Sequence, residues 1–418
     1  MNNASESKFG RREFLRRMKR AGEVSAIALG LGGGLDGCFE TTSSDGFVRQ
    51  KDCFFPHSGI LGDNILSTTL WTPEILSDFP VPLPFIFISH GFSSFAVSYA
   101  PLANELAKKG YAVAALNHVG DRLVIESIAQ EFNLNIPKPI PFDRALSYFK
   151  QSFEAIQEFP GSENQSPLEF ALTLLNQGFN GVLAPEINEF IEERISYRLG
   201  EANSAFKGLE NLAKYDSRLK GTIDLSKLGL LGHSLGGYTV AGMSGACEDR
   251  KQFDFSKYSP LCTVLQAPAC GIYPIDSMNC INNPILWMVG EKDKDSFNLV
   301  PKRLFEEMPL SPQYFLRMAD AGHLIFDELG CLFGAGEVIP REVIDWFSNQ
   351  ISSSLCLGDV FRIDSERYAA ECANYKEKHS AIKKYICNFF DAYIKEDEIA
   401  RSALLEPPSG RIRDYFVK

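Results

Sequence analysis

Short apolar runs alternate with amphipathic stretches along the chain beyond residue 45. The runs at 83–91, 111–117 and 284–290 are almost continuously apolar, which is typical of strands covered on both faces of a parallel sheet. The stretches between them have helical spacing, and the first ends at Gly110, a residue that commonly terminates helices. This alternation predicts an α/β protein with a mostly parallel central sheet flanked by helices.

Further apolar runs extend the predicted sheet. They are expected to be strands at 64–73, 225–234, 259–268 and 314–323. The run at 314–323 is predicted to be the last strand, and an amphipathic helix beginning at His379 is predicted to close the chain and pack on the sheet.

One long interval interrupts the alternation, between the strand ending near Asn117 and the strand starting near Lys227. It contains about 110 residues, whereas a simple crossover needs roughly a dozen. Its amphipathic stretches lie near 142–158, 166–178 and 186–214. We therefore predict one domain over 45–418 with a helical insertion at about 120–222. The inserted helices would be either ordinary core or a cap beside a pocket, and the segment 325–360 could also border the entrance of that pocket.

The first 38 residues read as an export signal rather than as part of the fold. Arg11 and Arg12 belong to a basic stretch that resembles a twin-arginine signal, and a weakly apolar, glycine-rich segment follows it. "LDGC" resembles a lipoprotein cleavage box with Cys38 as the lipidated residue, although Asp36 replaces its usual small residue. The sequence thus predicts an exported bacterial protein, either periplasmic or anchored to the outer membrane through lipid. Secretion and a disordered basic tail are the alternatives.

Composition excludes some partners. The formal net charge is -11, and both nucleic acid and polyphosphate require a positive surface. No second apolar stretch is long enough to span a bilayer, and the ten cysteines form no C-x-x-C pair with metal or redox spacing. We expect no nucleic-acid partner and no metal.

The stretch "GLLGHSLGGYTV" carries the clearest chemistry. Gly232, Ser234 and Gly236 fit the G-x-S-x-G nucleophile elbow, preceded by an apolar strand and followed by a helix start. The tight turn leaves no room for side chains at the two glycines and lifts the serine hydroxyl to the carboxyl edge of the sheet.

A serine nucleophile needs a base, which in this chain order follows the serine. The chain has six histidines: His57, His90, His118, His233, His323 and His379. The first three precede Ser234, His233 belongs to the elbow, and His379 is expected to be a helix cap or a surface residue. His323, just past a predicted strand, is therefore the candidate base.

The acid that orients this base is expected on the loop after the strand at 284–290. Asp293 stands three residues past Gly290 and is preferred, with Asp295 as the runner-up. The same loop also carries Glu291, and Asp276 and Asp320 are more distant alternatives.

Acyl transfer also requires donors for the developing oxyanion. The amide of Leu235, at the helix start after the elbow, is one candidate. The second is the amide of Phe92 in the loop "SHGFSS", where Gly91 allows a close backbone turn. His90 in this loop is expected to be structural.

The chain resembles the α/β-hydrolase superfamily over about 64–330, and within it the platelet-activating factor acetylhydrolase-like and dienelactone-hydrolase-like proteins. The stretches "FISHGFSSFAVSYAPLANELAKKGYAVAALNHVGD" and "TIDLSKLGLLGHSLGGYT" carry the likeness. Dienelactone hydrolases use cysteine, so Ser234 favours esterase chemistry. In the acetylhydrolases the acid follows an earlier strand, where this chain has "LQAPACG" without a carboxylate; Asp293 is preferred for this reason also.

The resemblance implies a serine esterase of lipid or short-acyl esters that needs neither cofactor nor metal. Ser234, Asp293 and His323 would carry catalysis. Two alternatives remain: a peptidase or amidase with the same residues, and a catalytically idle binding lipoprotein that kept the fold.

Overall fold

The computed structural model describes residues 40–42, 47–59, 62–91, 94–118, 197–246, 255, 258–293, 295–328, 370, 373–406 and 411–418. Apolar side chains of the central strands alternate between two buried layers. In one strand Phe85 and Phe87 face one hydrophobic cluster, while Ile86 and Ile88 face the other. Both faces of the sheet are therefore covered, as the continuous apolar runs predicted.

Ten strands of the described residues form a single sheet. In chain order they are β1 (Glu40–Thr42), β2 (Val48–Gly59), β3 (Gly62–Pro73), β4 (Leu83–Ser89), β5 (Ala112–Asn117), β6 (Ile223–His233), β7 (Cys262–Gln266), β8 (Ile285–Gly290), β9 (Gln313–Met318) and β10 (Ile412–Val417). Their spatial order is β1-β2-β3-β5-β4-β6-β7-β8-β9-β10. The pairs from β5 through β9 are parallel, and the outer pairs at both edges are antiparallel.

Helices cover the two faces of this sheet. Those described are α1 (Ala100–Lys108), α2 (Tyr197–Tyr215), α3 (Leu235–Ala241), α4 (Ile275–Met278), α5 (Asp295–Glu307), α6 (Tyr375–Ile394) and α7 (Glu398–Ala403). Apolar residues of α2, α3 and α5 pack in one cluster, and those of α1 and α6 pack in the other. This layered arrangement confirms the predicted α/β class with a mostly parallel sheet.

The structure corrects the prediction at both edges of the sheet. The strand β2, with polar residues at its start, was not predicted, and it forms a long antiparallel ladder with β3. The strand expected at 314–323 ends at Met318 and is not the last, because β10 pairs with β9 in antiparallel orientation after α6. The chain therefore closes with an edge strand rather than with the long helix.

Several predictions lie outside the described residues. These are the signal segment 1–38 with Cys38, the insertion between 119 and 196, and most of the segment 325–360 beyond residue 328. Of the insertion, only its last part is described, and there α2 matches the helix expected to end near 214. Among the described helices, none combines the length and the apolar character needed to cross a bilayer.

Candidate active site

Ser234 lies in a strained turn between β6 and α3. Its φ of 55° and ψ of -121° place it in a region that residues with side chains rarely adopt. The turn is held by hydrogen bonds on both sides: the Ser234 amide donates to the Gln266 carbonyl at 2.9 Å, and its carbonyl accepts from the Ala269 amide at 2.9 Å. The surrounding backbone thus fixes this conformation.

The two elbow glycines have no room for a side chain. A Cβ built on Gly232 would overlap the Gly236 carbonyl, and one built on Gly236 would overlap the carbonyl of Ser89 at the end of β4. Bringing α3 this close to β4 and β6 therefore requires glycine at both positions, for the steric reason inferred from the motif.

His323 and Asp293 form a hydrogen-bonded pair at the same edge of the sheet. The histidine Nδ1 lies 2.9 Å from Asp293 Oδ2. The aspartate side chain is 1% exposed and the histidine side chain 25% exposed, so the carboxylate is shielded while the imidazole reaches solvent. With Nδ1–H donated to Asp293, Nε2 carries the lone pair that can accept a hydroxyl proton.

Backbone contacts join the loops that carry this pair. The Lys292 amide donates to the Ala321 carbonyl at 2.8 Å, so the acid loop after β8 and the histidine loop after β9 are tied together. Helix α6 supports the histidine loop through His379 Nε2, which lies 2.6 Å from the Ile325 carbonyl. His379 is buried inside α6, so its expected role as a cap or surface residue was wrong.

His323 lies directly beside the elbow. Its ring centroid is 4.9 Å from that of His233, the neighbour of Ser234, and His233 Nε2 lies 3.1 Å from the His323 carbonyl. Burial and the nearby His323 lower the pKa of His233 well below its usual range, so this imidazole is neutral and donates Nε2–H to the carbonyl. His233 therefore links the elbow to the histidine loop.

The other candidate acids have different surroundings. The side chain of Asp320 is 63% exposed and pairs with Lys292, and Asp276 is exposed on α4. Glu291 accepts the Asp320 amide at 3.0 Å. Asp295 begins α5, and its side chain lies outside the described part of the chain. Asp293 is thus the carboxylate that the structure brings to His323.

The two oxyanion candidates differ in how far the structure describes them. Leu235 is the first residue of α3, directly after Ser234. Phe92 lies outside the described residues. The residue before it, Gly91, approaches the elbow so closely that a Cβ built on it would stand 3.2 Å from Ser234 Cβ. The loop after β4 therefore borders Ser234.

Residues that the sequence did not single out support this loop. His118, after β5, and Arg198 and Glu201, near the start of α2, surround its buried side. His118 follows a parallel strand at the carboxyl edge, as His323 does, but it precedes Ser234 in the chain and so does not fit the chain order expected of the base. Arg198 and Glu201 belong to no motif.

The mostly parallel sheet flanked by helices and the strained turn at Ser234 fit the architecture of the G-x-S-x-G elbow in α/β-hydrolases. No protein-family profile matches the chain. It is similar to the platelet-activating factor acetylhydrolase of Cavia porcellus, with 26% identity over 158 residues. That alignment covers 38% of this chain and 30% of the acetylhydrolase. The likeness supports the superfamily and hydrolase activity in general.

Within the described residues, no group of three or more histidine, cysteine, aspartate or glutamate side chains is arranged to hold a metal ion. Among the described cysteines, Cys262, Cys270, Cys280 and Cys387 carry free thiols, and the thiol of Cys53 lies 3.8 Å from the Lys51 carbonyl oxygen. Burial raises the pKa of Cys262 well above its usual range, which makes it unreactive at neutral pH.

Proposed function

We propose that the protein is a serine hydrolase that cleaves carboxylic esters through an acyl-serine intermediate. The observation that carries the proposal is the elbow conformation of Ser234 together with the hydrogen-bonded pair of His323 and Asp293 beside it. We call these three residues the elbow triad. The likeness to an enzyme whose name states that it is an acetylhydrolase supports hydrolysis of an acyl ester.

In the first half-reaction, Ser234 Oγ attacks the carbonyl carbon of the ester while His323 Nε2 takes the hydroxyl proton. Asp293 accepts Nδ1–H throughout and stabilises the imidazolium that forms. The proton then passes from His323 to the leaving alkoxide, and the acyl group stays on the serine.

In the second half-reaction, His323 takes a proton from water, and the resulting hydroxide attacks the carbonyl carbon of the acyl-serine. The bond from that carbon to Ser234 Oγ then breaks, His323 returns its proton to Oγ, and the carboxylic acid leaves. Both tetrahedral intermediates carry a negative oxygen that the amide of Leu235 would stabilise, with the amide of Phe92 proposed as the second donor. One such donor contributes about 3–4 kcal/mol in measured cases.

The proposed substrates are lipid or short-acyl esters, and export with N-terminal lipid attachment at Cys38 is part of the same proposal. An anchored hydrolase would meet ester substrates at a membrane surface. The long apolar acyl group of a lipid would require an apolar pocket beside Ser234.

The test is hydrolysis of p-nitrophenyl esters, from acetate to palmitate, by the full chain. We expect turnover to fall on the order of 10⁴-fold or more in Ser234→Ala. Ser226→Ala is the control, because Ser226 is an exposed residue of β6 that contacts Asp224. The proposal is wrong if Ser234→Ala retains the wild-type rate or if no ester is turned over.

A further inference from the structure

A second serine, histidine and carboxylate lie hydrogen-bonded in a row beneath the loop after β4. Ser89 Oγ is 2.8 Å from His118 Nε2, and His118 Nδ1 is 2.7 Å from Glu201 Oε2. We call these residues the buried array. Its members come from three elements, since Ser89 ends β4, His118 follows β5, and Glu201 belongs to α2.

The protonation of the buried array follows from its contacts. Burial, Arg198 and His90 lower the pKa of His118 well below its usual range, so its imidazole is neutral. Glu201 lacks a donor as a carboxylate, so Nδ1–H of His118 donates to it, and Nε2 accepts the hydroxyl proton of Ser89. The two hydrogen bonds of the buried array therefore run in one direction, from Ser89 to His118 and from His118 to Glu201.

Burial excludes the array from direct catalysis. The side chains of His118 and Glu201 are 0% and 1% exposed, and Ser89 is fully buried. The backbone of Ser89 is ordinary strand, in contrast to the strained turn at Ser234. No ester can reach this serine, so the array must act on its surroundings.

Those surroundings are the loop Ser89–Gly91. The amide of His118 donates to His90 Nε2 at 3.2 Å, and His90 Nδ1 lies 2.7 Å from the Gly91 carbonyl. Burial and Arg198 lower the pKa of His90 to about 3, so this ring is also neutral, with Nδ1–H donated to the carbonyl. His118 therefore holds two residues of the loop: Ser89 through its imidazole and His90 through its backbone amide.

Arg198 holds the same loop from the side of α2. Its guanidinium Nη1 donates to the His90 carbonyl at 2.8 Å, and the residue is fully buried. The opposite side of the loop stands against the elbow, because the carbonyls of Ser89 and His90 fill the space where Gly236 would carry a side chain. The loop is therefore clamped between α2 and the nucleophile turn.

We propose that Ser89, His118, Glu201 and Arg198 are positioning residues that set the separation between the loop Ser89–Gly91 and Ser234, and with it the geometry of the oxyanion site. The inference rests on the proposed function of Ser234. His118 and Glu201 are 83 positions apart in the chain, so the array also joins the two ends of the long connection between β5 and α2 beside the site.

The experiment measures kcat and KM per active site for the full chain, with active sites counted by a fluorophosphonate burst. A trifluoromethyl ketone serves as the oxyanion mimic, because Ser234 adds to its carbonyl carbon and leaves a negative oxygen. We expect kcat to fall about tenfold in Ser89→Ala and about 100-fold in His118→Ala, with KM changed less than about twofold. The Ki of the ketone should rise in proportion to the loss in kcat/KM.

Glu201→Gln is the conservative variant, since its amide oxygen still accepts Nδ1–H, and it should keep kcat within about threefold of wild type. Partial unfolding would lower the number of titrated sites but not the Ki per site. Ser89→Ala removes a single buried oxygen and keeps the test valid if His118→Ala does not fold. Unchanged kcat and Ki per site in Ser89→Ala would overturn the inference while leaving the proposed function intact. Absence of ester turnover and of a Ser234 adduct in the wild type would overturn both.

Discussion

The elbow triad and the buried array contain the same three kinds of side chain, yet the structure gives them opposite surroundings. In the triad the serine has a strained backbone and the histidine is 25% exposed, whereas in the array the serine is part of a regular strand and the histidine is fully buried. The distance from the histidine to the carboxylate is similar in the two sets, 2.9 Å from His323 to Asp293 and 2.7 Å from His118 to Glu201. Backbone conformation and access to solvent, rather than residue types or distances, separate a candidate nucleophile from a structural clamp.

The two sets also differ in what their histidines must do. In the triad, His323 needs the tautomer that leaves Nε2 unprotonated, because a hydroxyl proton must be accepted there. In the array, the Glu201 carboxylate holds the proton of His118 on Nδ1, but a glutamine at position 201 would accept either tautomer, because its amide and the hydroxyl of Ser89 can each donate or accept. This difference gives the strongest prediction.

We expect Asp293→Asn to lower kcat/KM for p-nitrophenyl acetate by about 10⁴-fold, because the asparagine amide can donate to His323 and hold it in the wrong tautomer. Glu201→Gln introduces the same chemical change in the array and should cost less than about threefold. Asp320→Asn is the matched control on the surface, since Asp320 has a φ of 51° that asparagine tolerates. Equal losses in Asp293→Asn and Glu201→Gln would remove the distinction between the two sets.

The sequence supported much of the triad but little of the array. The elbow glycines and the two loops after β8 and β9 follow from motif and strand order, because parallel strands end at one edge. His118, Arg198 and Glu201 act through burial between elements far apart in the chain, and no local pattern records that contact. The strands β2 and β10 do not follow from the sequence, because polar residues at 49–52 and 413–414 interrupt their apolar positions and weaken the signal on which the strand predictions depend.

The second prediction concerns acid. In the unfolded chain His90, His118 and His233 have the ordinary histidine pKa of about 6.5. In the folded protein burial lowers all three pKa values below it. Above that pH both states are neutral and the stabilisation is complete. As pH falls below it, the unfolded chain binds protons that the native protein does not, so the free energy of unfolding falls by roughly 1.4 kcal/mol per pH unit for each histidine.

Urea unfolding between pH 7 and pH 5 measures this slope. His118→Gln should unfold more easily at pH 7 but show a slope smaller by about one proton, because one buried neutral imidazole has been removed. An identical slope in the variant and the wild type would mean that His118 is protonated in the native array.

The smallest effect is expected at a buried carboxylate remote from both sets. Asp391 on α6 contacts Lys109, Tyr111 and Lys395 at 2.9–3.0 Å. Burial alone would raise the pKa of Asp391, but its hydrogen bonds to Lys395, Lys109 and Tyr111 outweigh burial and hold the pKa below its usual value. Its stabilisation is therefore present at neutral pH and lost in strong acid.

Asp391→Asn should lower the free energy of unfolding by about 2 kcal/mol at pH 7 and leave kcat per active site unchanged. Thermal or urea unfolding, read together with the fluorophosphonate burst, checks both halves of this expectation. A fall in kcat per site would show that lower stability alone impairs the site. The losses of kcat expected in Ser89→Ala and His118→Ala could then be explained by stability instead of by positioning.

The most direct test of the account is the position at which a fluorophosphonate attaches to the wild-type chain. The reagent reacts with an activated serine. Each set offers one, since Ser89 is hydrogen-bonded to His118 and Ser234 lies in the turn beside His323. Mass spectrometry of the digested adduct should place a single phosphonyl group on Ser234, and Ser234→Ala should abolish it while Ser89→Ala retains it. An adduct on Ser89, or none on Ser234 in a folded protein, would contradict the assignment of Ser234 as the nucleophile.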